Sequence, residues 1–71
     1  MFEDEKKRIG KQLKARREDL KVSQEYIQDY SSISPSTLSN LEQGKSNYTI
    51  DKLLSVLDIL GLEIEIKVRE V

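Results

Sequence analysis

Apolar residues in the first third of the chain recur at helical spacing. Ile9, Leu13 and Leu20, with the aliphatic stem of Arg17 between them, fall on one face of a helix predicted over residues 5–21. Val22 then precedes Ser23, whose side-chain oxygen can accept a bond from a free backbone N–H, and residues 24–30 form a short second helix with Glu25 in its first turn. The pattern breaks at Ser31-Ser32-Ile33 and restarts at Ser34-Pro35: serine as the cap, then proline at the first helical position, where its missing N–H costs nothing. A third helix follows over 35–43, with Leu38 and Leu41 facing inward and Gly44 supplying a left-handed ending. After the polar loop Lys45-Ser46-Asn47-Tyr48, Thr49 caps a fourth helix. Its Ile50, Leu53, Leu54, Leu57 and Leu60 make an apolar stripe, Asp51 sits near its positive end, and Gly61 closes it.

Beyond Gly61 the period changes to two. Leu62, Ile64, Ile66 and Val68 alternate with Glu63, Glu65, Lys67 and Arg69, which predicts a β-strand with one apolar face. No second strand is predicted elsewhere in the chain, so the N–H and C=O groups of this strand require a partner from another copy, and a two-fold axis sets the two strands antiparallel. A register centred on Ile66 places Glu63 opposite Arg69, Glu65 opposite Lys67, and Ile64 opposite Val68. Each opposite-charge pair contributes roughly 0.2–1 kcal/mol. The expected fold is therefore mainly α: four helices over 1–61 and a dimerisation strand over 62–71, belonging to one domain.

Seventy-one residues make a single, marginally sized core, which strengthens the expectation of a homodimer. The absence of cysteine excludes disulfides and thiolate metal sites and favours the cytoplasm. There is no histidine either, and no nucleophile–base arrangement, Gly-rich phosphate loop or metal-ligand spacing, so neither an enzyme nor a cofactor or metal is expected. The first residues lack the order of a secretory signal, and no apolar run is long enough to cross a bilayer. Net charge is −1, yet residues 1–21 hold eight basic against five acidic groups (net +3) and residues 22–71 four against eight (net −4). A basic face on an acidic body is possible, although such a run equally suits a solvated helix.

The segment from Ser23-Gln24-Glu25-Tyr26-Ile27 through Ile33-Ser34-Pro35-Ser36-Thr37-Leu38-Ser39-Asn40-Leu41-Glu42-Gln43-Gly44-Lys45 resembles the Xre/phage-repressor helix-turn-helix family. Ile27, Ile33, Leu38 and Leu41 sit where two short helices bury one side of each against the other. That leaves the outer face of the third helix, with Ser36, Ser39 and Asn40, free to approach base edges in a major groove, where asparagine suits adenine. The resemblance adds Ser34 and Pro35 to the base-edge set. It implies backbone-phosphate contacts from Ser23, Gln24, Thr37, Gln43 and Lys45 on double-stranded DNA. It also implies a structural salt bridge between Arg17 and Glu42. Two positions depart from the family: Gln28 stands where alanine is usual, and Ser32 where glycine is usual in the turn. A non-glycine residue in a left-handed turn costs about 1–3 kcal/mol.

Over nearly the whole chain, Ser39-Asn40-Leu41-Glu42, Asn47-Tyr48-Thr49-Ile50 and Gly61-Leu62-Glu63-Ile64-Glu65-Ile66 resemble the HipB antitoxins more narrowly. That resemblance implies a dimer paired through C-terminal strands, which represses its own operon at a palindromic operator and binds a HipA-type Ser/Thr kinase toxin. A solitary phage-type or housekeeping repressor shares the same DNA-binding features. The acidic balance and sparse basic residues of the third helix suit a third reading, a protein-interaction adaptor that does not bind DNA.

Overall fold

The computed structural model describes residues 2–45 and 48–69. Its helices are α1 (Glu3–Asp19), α2 (Gln24–Ser31), α3 (Pro35–Gln43) and α4 (Ile50–Leu60). Three of the four N-termini are capped as their sequences predict. Ser23 Oγ accepts from the Tyr26 N–H, Ser34 Oγ from that of Thr37, and Thr49 Oγ1 from that of Lys52, at 3.1–3.2 Å. Each cap satisfies one of the donors that a helix start leaves without a partner.

The first helix begins and ends two residues earlier than the apolar spacing predicts. Glu3, Asp4 and Glu5 fill its first turn, where the positive end of the helix dipole favours them. Leu20, expected inward, follows the helix and is 40% exposed. Lys21 turns left-handed (φ 57°), its N–H reaching the Glu18 carbonyl while that of Val22 reaches Arg17. This paired closure reverses the chain, so Val22 packs on the core in the role assigned to Leu20. Gly44 and Gly61 end α3 and α4 in the same conformation (φ 71° and 68°). Ser32 also holds it (φ 59°), so the turn between α2 and α3 keeps its left-handed shape without glycine.

The core consists of Leu13, Ile27, Ile33, Leu38, Leu41, Leu53, Val56, Leu57 and Leu60. Two residues of the expected α4 stripe lie outside it: Ile50 is 59% exposed and Leu54 45%. At about 100° per residue, Leu53, Val56, Leu57 and Leu60 share one arc of roughly 100°, with Ile50 and Leu54 on its flank. Val56, absent from the expected stripe, is fully buried in their place.

Helix α1 lies most intimately against α3. A Cβ built on Gly10 would stand 2.4 Å from the Glu42 carbonyl oxygen and 2.6 Å from that of Leu41. One built on Gly44 would stand 2.7 Å from the Lys7 backbone. Two glycines, one within α1 and one just past the end of α3, thus set the distance at which α3 is held.

No strand is present among the described residues. Residues 62–69 leave α4 without regular secondary structure, and the described residues include no second strand for them to pair with. Ser46 and Asn47 of the expected polar loop, and residues 70–71 of the expected strand, lie outside the described residues.

Candidate nucleic-acid interface

The α2-turn-α3 unit is fixed from behind by one charged network. Arg17 Nε donates to Glu42 Oε2 at 2.6 Å and its Nη2 to Oε1 at 3.2 Å, while Nη1 donates to the Val22 carbonyl at 3.0 Å. Gln24 Nε2 donates to Glu42 Oε1 at 3.1 Å. Both carboxylate oxygens are therefore engaged, and the Arg17–Glu42 pair ties together α1, the α1–α2 turn, α2 and α3. The side chains are 14% (Arg17) and 5% (Glu42) exposed. The hydrogen bond to Glu42 holds the Arg17 guanidinium above its ordinary value, against the opposing effect of burial. The bidentate geometry matters as much as the charge, because it fixes the rotation of α3 about its axis.

In front of this network α1, α2 and α3 enclose a polar groove of about 460 Å³, lined by Lys14, Arg17, Ser23, Gln24, Ser39 and Gln43 among others. Four of the residues predicted to touch DNA (Ser23, Gln24, Ser39 and Gln43) are thereby brought to one place. Gln43 Nε2 donates to Ser39 Oγ at 3.0 Å. Gln24 gives one amide hydrogen to Glu42 and keeps the second.

Along the outer face of α3, Pro35, Ser36 and Gln43 are exposed, and Ser39 and Asn40 are half-buried. Ser34 is occupied by its own helix: besides capping, its hydroxyl donates to Thr37 Oγ1 at 2.9 Å and lies 3.3 Å from Ser36 Oγ. Thr37 is half-buried, and Lys45 is exposed just past the helix, its backbone N–H bonded to the Asn40 carbonyl at 2.8 Å. The strand residues stand apart from this surface as a separate group. Leu62 packs on the core, whereas Ile64, Ile66 and Val68 are 44%, 92% and 96% exposed.

Two residues with a part in this architecture were not singled out from sequence. Lys14 lines the polar groove, and its signal was available: it lies one helical turn before Arg17, on the same side of α1. Arg16 donates from Nε to the Leu60 carbonyl at 2.8 Å, satisfying an acceptor at the end of α4. No sequence signal separates Arg16 from its basic neighbours, because its partner lies 44 positions away.

No curated protein matches the chain. A model of the helix-turn-helix family matches residues 13–67, from the middle of α1 through the capped turn, α3 and α4 into the C-terminal segment. That match takes in the Arg17–Glu42–Gln24 network and the outer face of α3, and the chain belongs to the Xre/phage-repressor type of helix-turn-helix family, whose members are DNA-binding transcription regulators.

Proposed function

We propose that the protein is a dimeric, sequence-specific repressor whose α3 enters the major groove, and that it serves as antitoxin and autorepressor beside a HipA-type kinase toxin. The observation that carries the DNA-binding part is the orientation of α3. Its inner residues Leu38, Leu41 and Glu42 are buried, which turns the short polar side chains of Ser36, Ser39 and Asn40 outward. Small side chains at this face let the helix approach base edges closely, and Asn40 can pair with an adenine edge. Ser34 and Pro35 stand at the leading end of the helix. Ser23, the second amide hydrogen of Gln24, Thr37, Gln43 and Lys45 surround it with donors suited to phosphate oxygens. The reading needs only binding and includes no catalytic step.

The dimer rests on the C-terminal alternation. Lys67 Nζ lies 3.7 Å from Glu65 Oε1 within the protomer, so these two side chains share one side of the segment as a period of two requires. An antiparallel ladder centred on Ile66 would give the segment its missing hydrogen-bond partner. It would set two recognition helices on successive major grooves, about 34 Å apart. The resemblance to HipB antitoxins over nearly the whole chain supports the kinase partner. A solitary repressor would use the same surface; a kinase reading frame beside the gene would favour the antitoxin, and a lone gene or phage cassette the solitary repressor.

The test is a binding titration on DNA from the gene's own upstream region across a salt series. Affinity is expected to fall steeply with salt, with a log–log slope near −0.9 per phosphate neutralised. Asn40→Ala is expected to cost about 1–3 kcal/mol on the operator and little on unrelated DNA. Salt-insensitive binding, or an Asn40→Ala variant that discriminates as well as the parent, would refute groove reading. Absence of any DNA binding would favour the adaptor role.

A further inference from the structure

A second groove, of about 490 Å³, opens on the protein between Ile9, Gln12 and Leu13 of α1 and Leu53 and Leu57 of α4, with Ile64 of the C-terminal segment at its edge. We infer that this groove is the seat for the partner protomer's Val68, so that each subunit completes its core with the other's C-terminal segment. The inference rests on the strand-paired dimer proposed above and extends it from backbone pairing to an apolar docking site.

Leu62 already packs on its own core. Ile64 lines the groove, yet remains 44% exposed. Ile66 and Val68 lie farther along and are 92% and 96% exposed, with no apolar neighbour among the described residues to cover them. Positions 62, 64, 66 and 68 share one face of an extended chain, the face on which Leu62 and Ile64 turn toward α1 and α4.

Antiparallel pairing about Ile66 brings the partner's Ile66 against its own copy on the two-fold axis. It places the partner's Val68 beside Ile64, on the face directed into the groove. Every apolar residue then has a place: its own core, the groove wall, the axis, and the partner's groove. The charges agree with this occupant. Glu63 and Glu65, which also border the groove, come opposite the partner's Arg69 and Lys67, whereas a slip by two residues would set Glu65 against its own copy or Lys67 against its own copy on the axis.

The chain has no cysteine, so single cysteines report position directly. Gln12 and Val68 are both exposed, and replacing either leaves the core intact. Gln12→Cys protein mixed with Val68→Cys protein is expected to give a disulfide-linked heterodimer on mild oxidation. Lys45→Cys, on the DNA-facing side, is expected to give none with Val68→Cys. Ile66→Cys alone is expected to link to itself across the axis. Val68→Ser should raise the dimer dissociation constant roughly a hundredfold, since two buried valine side chains are lost from each symmetric dimer.

If Ile66→Cys links to itself while the Gln12→Cys and Val68→Cys mixture stays unlinked, the groove assignment falls and the strand-paired dimer stands. A Gln12→Cys/Val68→Cys double variant that links within one chain would overturn it as well, because the tail would then be folded onto its own groove. If Ile66→Cys does not link and sedimentation gives a monomer, both readings fail together, and the groove is left to a different protein.

Discussion

Replacing Gly10 by alanine sets two well-known effects against each other, and the structure decides the sign. In an ordinary helix interior this change stabilises by about 1 kcal/mol, because alanine is the better helix former. Here the new Cβ would sit 2.4 Å and 2.6 Å from the carbonyl oxygens of Glu42 and Leu41. Real Cβ contacts essentially never fall below 3.0 Å, so α1 and α3 must part by roughly 0.6 Å or more. A gap of that order forfeits about a quarter of the dispersion attraction between the surfaces it separates, and overpacking of a fitted interface costs about 1–3 kcal/mol.

The upper half of that range applies at Gly10. The obstructing atoms are backbone rather than a flexible side chain, and the Leu41 carbonyl also accepts the Gly44 N–H that helps close α3. After the propensity gain is subtracted, Gly10→Ala is expected to destabilise by about 1–2 kcal/mol, a fall in melting temperature of roughly 5–15 °C for a domain of this size. Thermal and urea unfolding at fixed protein concentration measure it, since dimerisation would otherwise move the midpoint. Ala15→Gly, at an exposed position of the same helix, calibrates propensity alone. If Gly10→Ala stabilises by as much as Ala15→Gly destabilises, α1 and α3 do not approach as described and the reasoning fails.

Arg17→Met or Glu42→Met alone should destabilise by about 3–5 kcal/mol, because each leaves a shielded charge without its partner; the double variant should recover much of the loss, and a double-mutant cycle with no coupling would refute the pairing. Ser32→Gly should stabilise by about 0.5–1 kcal/mol, since a serine at φ 59° carries strain that glycine does not; an unchanged or lower urea midpoint would count against the left-handed turn. Arg16→Met should cost about 1–2 kcal/mol through loss of its bond to the Leu60 carbonyl, read as a lower urea midpoint; a neutral result would mean that solvent satisfies that carbonyl equally well.

Helix starts were legible because capping is local chemistry: Ser23, Ser34-Pro35 and Thr49 each announce a helix within three residues. Gly44 and Gly61 were equally plain as endings, since only glycine adopts that conformation without strain. Lys21 and Ser32 adopt it too, and the first of these hid the true end of α1 and the exchange of Leu20 for Val22. Periodicity identified α4 but not the centre of its buried face, because Ile50 and Leu54 satisfy a helical spacing as well as Val56 does. Which flank is covered depends on where α1 and α2 lie, and no short window of sequence carries that. The Arg17–Glu42 pair came from the family pattern, and Gln24, expected only as a phosphate donor, joins it through its side-chain amide. The close approach at Gly10 had no local signature, for a glycine in a helical stretch reads as a weak helix former until the neighbouring backbone is in view.

Two adjacent arginines on α1 bear on how these parts work together. Arg17 and Arg16 differ by about 100° around the helix and reach in different directions: Arg17 fixes α3 and the start of α2 through Glu42, Gln24 and the Val22 carbonyl, and Arg16 holds the last carbonyl of α4. The C-terminal segment departs two residues after that carbonyl. The same turn of α1 therefore sets both the angle at which α3 faces outward and the point from which the segment leaves the body. In a strand-paired dimer those two quantities together determine the separation and tilt of the recognition helices. Neither arginine needs to touch a base to govern which half-site spacing is read. A rigid α1 clamped in this way would favour one spacer length over its neighbours, whereas a protein joined only by a flexible tail would accept several.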